Sequence, residues 1–99
     1  MEKINLADLT QMMMELAEDK GFGTKPEDIN VAEKMLLIQS EVNEAYDAYR
    51  QKNMTDKHGF EEELGDVIQR VLHLCGIFQI DIEKVILEKL EINKNRTWN

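Results

Sequence analysis

Long stretches without a helix-breaking residue are the feature that most restricts how this 99-residue chain can fold. Pro26 is the only proline, and four of the five glycines lie near the expected ends of helices. Between these breaks, apolar residues recur at the spacing of one face of a helix, and no alternating strand pattern competes with that spacing. The sequence therefore predicts an all-α fold, with residues 1–99 forming a single domain.

Four helices can be placed from the apolar spacing and the capping residues. They are expected over about residues 6–20, from a cap at 30 to about 52, over about 59–78, and from a cap at 81 to about 94. Asn5, Asn30 and Asp81 are suitable N-caps, and Glu33 would complete a capping box with Asn30. The segment around Pro26 is either a loop or an extra turn. We expect the four helices to form a bundle.

Charge and length restrict the partners of the chain. Twenty acidic and twelve basic residues give a net charge of -8, which repels a nucleic-acid backbone, so a DNA or RNA polymer is not expected to bind. A phosphorylated small molecule can still bind if divalent cations lie between acids and phosphates.

No membrane association is expected, because no segment approaches the roughly 18 apolar residues of a membrane span. The sequence also has no basic segment leading into an apolar run, as a signal peptide would, so a cytoplasmic location is expected. The modest core of so short a chain favours self-association.

Two pairs of carboxylates lie beside the apolar stripes of the second and third helices. The stripes expected to face the core are Val31, Met35, Ile38, Val42, Tyr46 and Tyr49 on the second helix and Phe60, Leu64, Val67, Ile68, Val71 and Cys75 on the third. Glu41 and Glu44 are three residues apart, as are Glu63 and Asp66, so each pair emerges from one flank. If the two helices pack antiparallel, the four carboxylates converge at one level of the bundle, where they would repel one another.

A cluster of hard oxygen ligands favours magnesium chemistry. Neither pair of acids includes a histidine, which zinc sites and di-iron centres in helical bundles typically use. Four carboxylates without a histidine suit Mg²⁺ or Mn²⁺ better. Because Mg²⁺ is usually held by a few carboxylates together with substrate phosphates, the cluster indicates phosphate chemistry. The simpler alternative is that acids in the first turns of a helix are stabilised by its dipole alone. Spacing does not choose between Glu62 and Glu63, since Glu62 also shares a face with Asp66.

Three segments resemble the MazG-like nucleoside triphosphate pyrophosphohydrolases, over about residues 30–98. They are Leu37-Ile-Gln-Ser-Glu41-Val-Asn-Glu44-Ala, Glu62-Glu63-Leu-Gly-Asp66-Val and Lys89-Leu-Glu-Ile-Asn93-Lys-Asn-Arg96-Thr-Trp98. The resemblance implies a MazG-like bundle, assembled as a homodimer or homotetramer. It also implies hydrolysis of nucleoside triphosphates, noncanonical or deoxy forms included, between the α and β phosphates, with release of a nucleoside monophosphate and pyrophosphate.

The resemblance also assigns the acids. Glu41, Glu44, Glu63 and Asp66 are implied to be both the ligands of Mg²⁺, with Mn²⁺ as a substitute, and the catalytic residues. Glu63 is thereby selected over Glu62. Bound magnesium would neutralise phosphate charge and activate a water molecule, while one of the glutamates accepts its proton.

Lys89, Asn93 and Arg96 match the basic tail of the family and are candidates for substrate binding, because positive side chains there can hold phosphates. Cations in the last turn of a helix are also stabilised by the helix dipole, so a purely structural role is the alternative. Trp98 is expected to anchor the C-terminus rather than to stack on a base.

Two further cations are candidates for substrate binding. Lys34 lies two turns before Glu41 on roughly the same flank. Arg70 departs from the family pattern, since relatives often have an aromatic or other residue at this position. It is expected either to contact a phosphate or to form an ion pair with Asp66 or Glu63 that competes with metal binding.

Two other functions fit the same residues. In the first, the protein is a noncatalytic helical interaction module, whose methionine-rich first helix forms a partner interface while the acids provide solubility. In the second, a divalent cation serves hydrolysis of a phosphate compound other than a nucleotide, such as a sugar phosphate or an alarmone.

Overall fold

A computed structural model describes residues 3–97, and within this range the chain forms α-helices and no β-strand. The helices are α1 (Leu6–Lys20), α2 (Val31–Arg50), α3 (Phe60–Ile77) and α4 (Ile82–Lys94), with a short 3₁₀ turn at Pro26–Asp28. The predicted all-α fold and helix order are confirmed, and the segment at Pro26 is the extra turn. Over the described range, no helix is long and apolar enough to cross a membrane.

Side-chain caps determine where three of the helices begin. Asn5 accepts a hydrogen bond from the backbone N–H of Asp8 at 2.8 Å, and the Asp8 carboxylate accepts one from the N–H of Asn5 in return. Asn30 and Asp81 likewise accept bonds from the third residues of α2 and α4. Each cap satisfies a backbone donor that the helix itself leaves without an acceptor. Gly21 ends α1 in the left-handed conformation, at φ 75°.

The third helix is central, because α2 packs against one part of its surface and α1 against another. The rings of Tyr49 and Phe60 are 5.7 Å apart beside the loop that joins α2 to α3. Further along the pair, Arg70 contacts Glu41. Later residues of α2 therefore face earlier residues of α3, and the predicted antiparallel packing is confirmed. Cys75 is a buried thiol, as predicted.

The stripe predicted to be the core face of α2 is largely exposed, which corrects that prediction. Val31, Met35, Val42, Tyr46 and Tyr49 are all exposed. The buried residues of α2 are instead Ala45 and Ala48, which share the flank that carries the acids. Helical spacing identifies an apolar face but not the neighbour that covers it, and α3 contacts the flank with small side chains. On α3 the prediction is partly wrong for the same reason, because Leu64 and Ile68 are exposed.

Among the described residues, α4 contributes no buried side chain. Its main packing contact is with α1. Val85, Ile86, Leu87, Leu90 and Ile92 all remain exposed, with Leu87 at 61%. The expected bundle is thus formed tightly by α1, α2 and α3, whereas the apolar side of α4 lacks a cover within one chain.

The loop between α2 and α3 is held by the side chain of Asn53. Its Oδ1 accepts a hydrogen bond from the N–H of Asp56, and its Nδ2 donates to the carbonyl of Lys57. The carbonyl of Asn53 accepts from the N–H of Phe60, the first residue of α3. Gly59 lies inside this network, and a Cβ at that position would be 2.7 Å from the Asp56 carbonyl oxygen. The loop therefore positions α3 relative to α2.

We predict that Gly59→Ala destabilises the protein by about 1–3 kcal/mol, because the new methyl group overlaps backbone atoms that the Asn53 network holds in place. The matched control is Gly65→Ala within α3, where an added Cβ meets no atom within 4 Å. That variant should gain about 0.5–1 kcal/mol from the higher helix propensity of alanine. Urea unfolding at equal protein concentration measures both changes, and equal effects at the two glycines would contradict the prediction.

Candidate metal centre

Three carboxylates from two helices meet between α2 and α3. Each of Glu41, Glu44 and Glu63 offers one oxygen atom such that these atoms all lie within 4.8 Å of one another. The antiparallel packing explains the meeting, since it brings the flank of the α2 pair opposite the flank of the α3 pair. Glu63, rather than Glu62, belongs to this group. We refer to Glu41, Glu44 and Glu63 as the three-acid group.

The three-acid group is poorly supplied with hydrogen-bond donors. Glu63 is only 5% exposed. One oxygen of Glu63 and one of Glu41, Oε2 in both cases, are buried with no hydrogen-bond partner among the described residues. Leaving buried carboxylate oxygens without a partner is costly, and a bound cation would remove that cost. Because all the donors are hard oxygens, the residues fit a divalent cation such as Mg²⁺ or Mn²⁺.

Burial is the main reason that the Glu63 carboxyl holds its proton unusually strongly. The protonated carboxyl can also donate a hydrogen bond to Glu41 or Glu44, and the charges of Glu44 and Asp66 disfavour its ionisation. Burial and these smaller causes together raise the pKa of Glu63 from 4.5 to about 7. Without a metal, a proton on Glu63 relieves part of the repulsion between the acids.

Asp66 lies beside the three-acid group rather than within it. It lines an adjoining cavity of about 370 Å³ together with Glu41. The pKa of Asp66 is raised, first by burial and then by the charges of Glu41 and Glu62, while the charges of Arg70 and His58 act in the opposite direction. The four acids predicted to converge are thus placed in one region, with Asp66 on the side of the cavity.

The wall of the cavity that Asp66 lines combines charged and apolar side chains. Its charged residues are Lys34, Glu41, Asp66 and Arg70. Its apolar residues are Met13, Leu16, Phe22 and Leu37. A cavity with acids, cations and apolar side chains in its wall can accommodate a phosphate chain and an organic group together.

Arg70 is bound to Glu41, whereas the sequence led us to expect Asp66 or Glu63 as its ion-pair partner. Its Nε lies 3.2 Å from Glu41 Oε1. The register of α2 on α3 explains the difference, because it places Arg70 opposite Glu41.

Lys34 lines the same cavity but is not part of an ion pair among residues 3–97. No carboxylate oxygen in that range lies within 4.0 Å of its ammonium nitrogen.

The basic residues of the C-terminal segment are located elsewhere. Lys89 and Asn93 belong to α4 and Arg96 follows it, and none of the three lines this cavity. Trp98, the last residue of the same segment, lies outside the described residues. Among residues 3–97, these predicted substrate contacts therefore do not share the cavity that Glu41 and Asp66 line.

Two histidines differ in their relation to the site. Nε2 of His73 donates a hydrogen bond to the carbonyl of Gly23 at 2.9 Å, so this buried residue fastens the segment after α1 to α3. His58, for which the sequence indicated no role, lies with its Nδ1 4.0 Å from Glu63 Oε1. It has a positive φ of 61°, and its N–H donates to the carboxylate of Glu62. Its proximity to Glu63 depends on the loop conformation, which no spacing rule predicts.

Comparison with known proteins identifies the family. The family model described as the MazG nucleotide pyrophosphohydrolase domain matches residues 30–98. The chain belongs to this MazG family. The matched segment includes α2, α3 and α4, and with them all four acids. Searches against curated proteins and solved structures found no match. The resemblance seen in three segments of the sequence is confirmed, and the three-acid group lies within the matched residues.

The raised pKa of Glu63 predicts how the metal-free MazG domain responds to pH. Because the folded state favours the neutral carboxyl, Glu63 contributes stability that is complete below pH 4.5 and is lost as the pH rises through about 7. Denaturant unfolding in the presence of a chelator, between pH 5 and 8, should show this decline. In Glu63→Gln the decline should be smaller, since the amide does not ionise. An identical pH dependence in the two proteins would contradict the assignment.

Proposed function

We propose that the protein is a Mg²⁺-dependent enzyme that hydrolyses nucleoside triphosphates between the α and β phosphates, releasing a nucleoside monophosphate and pyrophosphate. Noncanonical or deoxy nucleotides are the substrates that we propose. The observation that carries the proposal is the three-acid group, whose oxygens lie within 4.8 Å of one another in a chain of the MazG family. The buried oxygens of Glu41 and Glu63 without partners support a bound cation there.

The acids and the cations of the site would have different roles. Glu41, Glu44, Glu63 and Asp66 would hold the cation, and one of the glutamates would accept the proton of the attacking water. When bound, Mg²⁺ would neutralise phosphate charge and lower the pKa of a coordinated water. Lys34, which lines the same cavity as Glu41 and Asp66, would balance phosphate charge.

The apolar residues of the cavity wall would contact the nucleoside. They come from α1, from the segment between α1 and α2, and from α2, and they offer a surface on which a base or sugar can be shielded from water. Lys89, Asn93 and Arg96 remain proposed phosphate contacts, because they match the basic tail of the family but lie away from this cavity.

We expect the purified protein to convert at least one nucleoside triphosphate into its monophosphate and pyrophosphate when Mg²⁺ is present. Glu41→Gln and Asp66→Asn should each lower kcat/KM by about 100-fold or more, because each removes a negative ligand oxygen while preserving shape. Product analysis by ion-exchange chromatography measures both the bond that is cleaved and the rate.

The matched control is Glu61→Gln, which removes an exposed carboxylate from the first turn of the same helix, outside the three-acid group. This variant should retain the wild-type rate. Absence of turnover with every triphosphate, with the helical circular-dichroism signal intact, would refute the proposal. Turnover confined to a sugar phosphate or an alarmone would keep the metal site but reject the nucleoside triphosphate substrate. Wild-type rates in Glu41→Gln and Asp66→Asn would reject the site.

We also propose that the protein works as a homodimer or homotetramer. Exposed apolar side chains on α2 and on α4 support this, since Tyr46 is 60% exposed and Leu87 is 61% exposed. Apolar surface on this scale, in a chain with few buried core residues, favours association. The same surface would suit a noncatalytic interaction module, for which the acids would have no chemical role.

Light scattering coupled to size exclusion should give a multiple of the 11.6 kDa chain mass. Leu87→Glu combined with Leu90→Glu should shift the protein towards the monomer, because the two exposed leucines are three residues apart on α4 and their replacement puts like charges into the contact. A Lys84→Glu variant, which changes the charge of an exposed polar residue of α4, serves as the control. A monomeric wild-type protein would refute the proposed association.

A further inference from the structure

A guanidinium group is bound to a carboxylate of the three-acid group. Arg70 Nε donates to Glu41 Oε1 at 3.2 Å. The Glu41 side chain is only 13% exposed, so solvent screens this ion pair weakly. Arg70 holds Oε1 of Glu41, and the unpartnered Oε2 is the oxygen open to a cation. A divalent cation bound there and the guanidinium would share one carboxylate, and their positive charges repel each other at such short range.

Arg70 is also free to reach another partner without passing through the core. Its side chain is 37% exposed and lines the cavity of about 370 Å³, which Lys34 and Asp66 also line. A planar guanidinium with several donors matches the oxygens of a phosphate better than a lysine does. The residue thus has a binding partner in the metal-free site and access to the space in which a substrate would lie.

We propose that Arg70 is a substrate-binding residue that exchanges between Glu41 and the phosphate chain of the substrate. In the metal-free protein it neutralises Glu41. Cation binding displaces it from Glu41, and the released guanidinium then contacts the phosphate chain of a nucleotide in the cavity. The first step requires only the three-acid group, whereas the second step rests on the proposed function.

Exchange and a purely structural ion pair predict opposite effects on metal affinity. If Arg70 competes with the cation, its removal frees Glu41 and strengthens metal binding. If Arg70 instead holds Glu41 in the orientation that the metal needs, its removal weakens metal binding. The sign of the change therefore decides between the two, independently of any catalytic rate.

The test measures binding of Mn²⁺ alone, from the loss of the free-ion electron paramagnetic resonance signal, for the wild type and Arg70→Met. We expect Arg70→Met to bind Mn²⁺ about tenfold more tightly, the change that corresponds to loss of one competing charge-assisted hydrogen bond. Arg70→Gln is measured in parallel and should change affinity in the same direction, so the prediction remains testable if the methionine variant does not fold. An unchanged or weaker affinity for Mn²⁺ would overturn the proposal.

The matched control is Lys34→Met, which removes the same charge from the same cavity. Lys34 has no carboxylate of the described chain within ion-pair distance, so its removal changes the general electrostatic field but frees no ligand. We expect its effect on Mn²⁺ affinity to be clearly smaller than that of Arg70→Met. Equal effects would show that net charge alone accounts for the change, and would overturn exchange at Glu41.

The second step is tested by equilibrium binding of an α,β-imido nucleoside triphosphate at saturating Mn²⁺. Arg70→Met should weaken this binding about tenfold, while it strengthens binding of Mn²⁺ alone. Unchanged analogue affinity would overturn the phosphate contact. Because neither measurement depends on turnover, lack of hydrolysis by the wild type would refute the proposed function without deciding the exchange.

Discussion

The buried Glu63 carboxylate and the neighbouring carboxylates of Glu41 and Glu44 repel one another where α2 packs on α3. Glu63 is buried within reach of Glu41 and Glu44, a placement that is unfavourable for three charged groups. The metal-free protein reduces the repulsion in two ways. A proton is favoured on Glu63, whose pKa rises to about 7, and the Arg70 guanidinium binds Glu41. The proton and the guanidinium each supply, at one carboxylate, part of the positive charge that a divalent cation would bring to the centre of the group.

The way in which α2 and α3 pack brings the acids together. Ala45 and Ala48 are the buried residues of α2, and small side chains allow the helix axes to approach closely enough for short carboxylate side chains to meet. The loop network of Asn53 and Gly59 then holds the register. The consequence is a small core, since the larger apolar residues of α2, such as Tyr46, face away from α3. The site and the exposed apolar surface thus have a common structural origin.

Local chemistry explains which features the sequence was able to predict. The start of α1 follows from Asn5 and its end from Gly21, because caps act through backbone groups within a few residues. The i, i+3 spacing of the acids likewise placed each pair on one flank. The face of α2 that is buried was not predictable in this way, since a stripe such as Val42 and Tyr46 is apolar whether α3 or another chain covers it. The partner of Arg70 also depends on the register between helices, which spacing along one helix does not contain.

The choice between Glu62 and Glu63 shows what tertiary packing adds to spacing. Both residues lie in the first turn of α3, and both share a helix face with Asp66, so spacing treats them alike. In the fold, the Glu62 carboxylate accepts the N–H of His58 at the start of α3, where an acid also stabilises the helix dipole. Glu63, rotated by about 100°, faces α2 and its two glutamates. Of these two neighbouring residues, Glu62 therefore makes a contact at the start of α3, whereas Glu63 belongs to the three-acid group. The antiparallel register of α2 and α3 decides which of them faces α2.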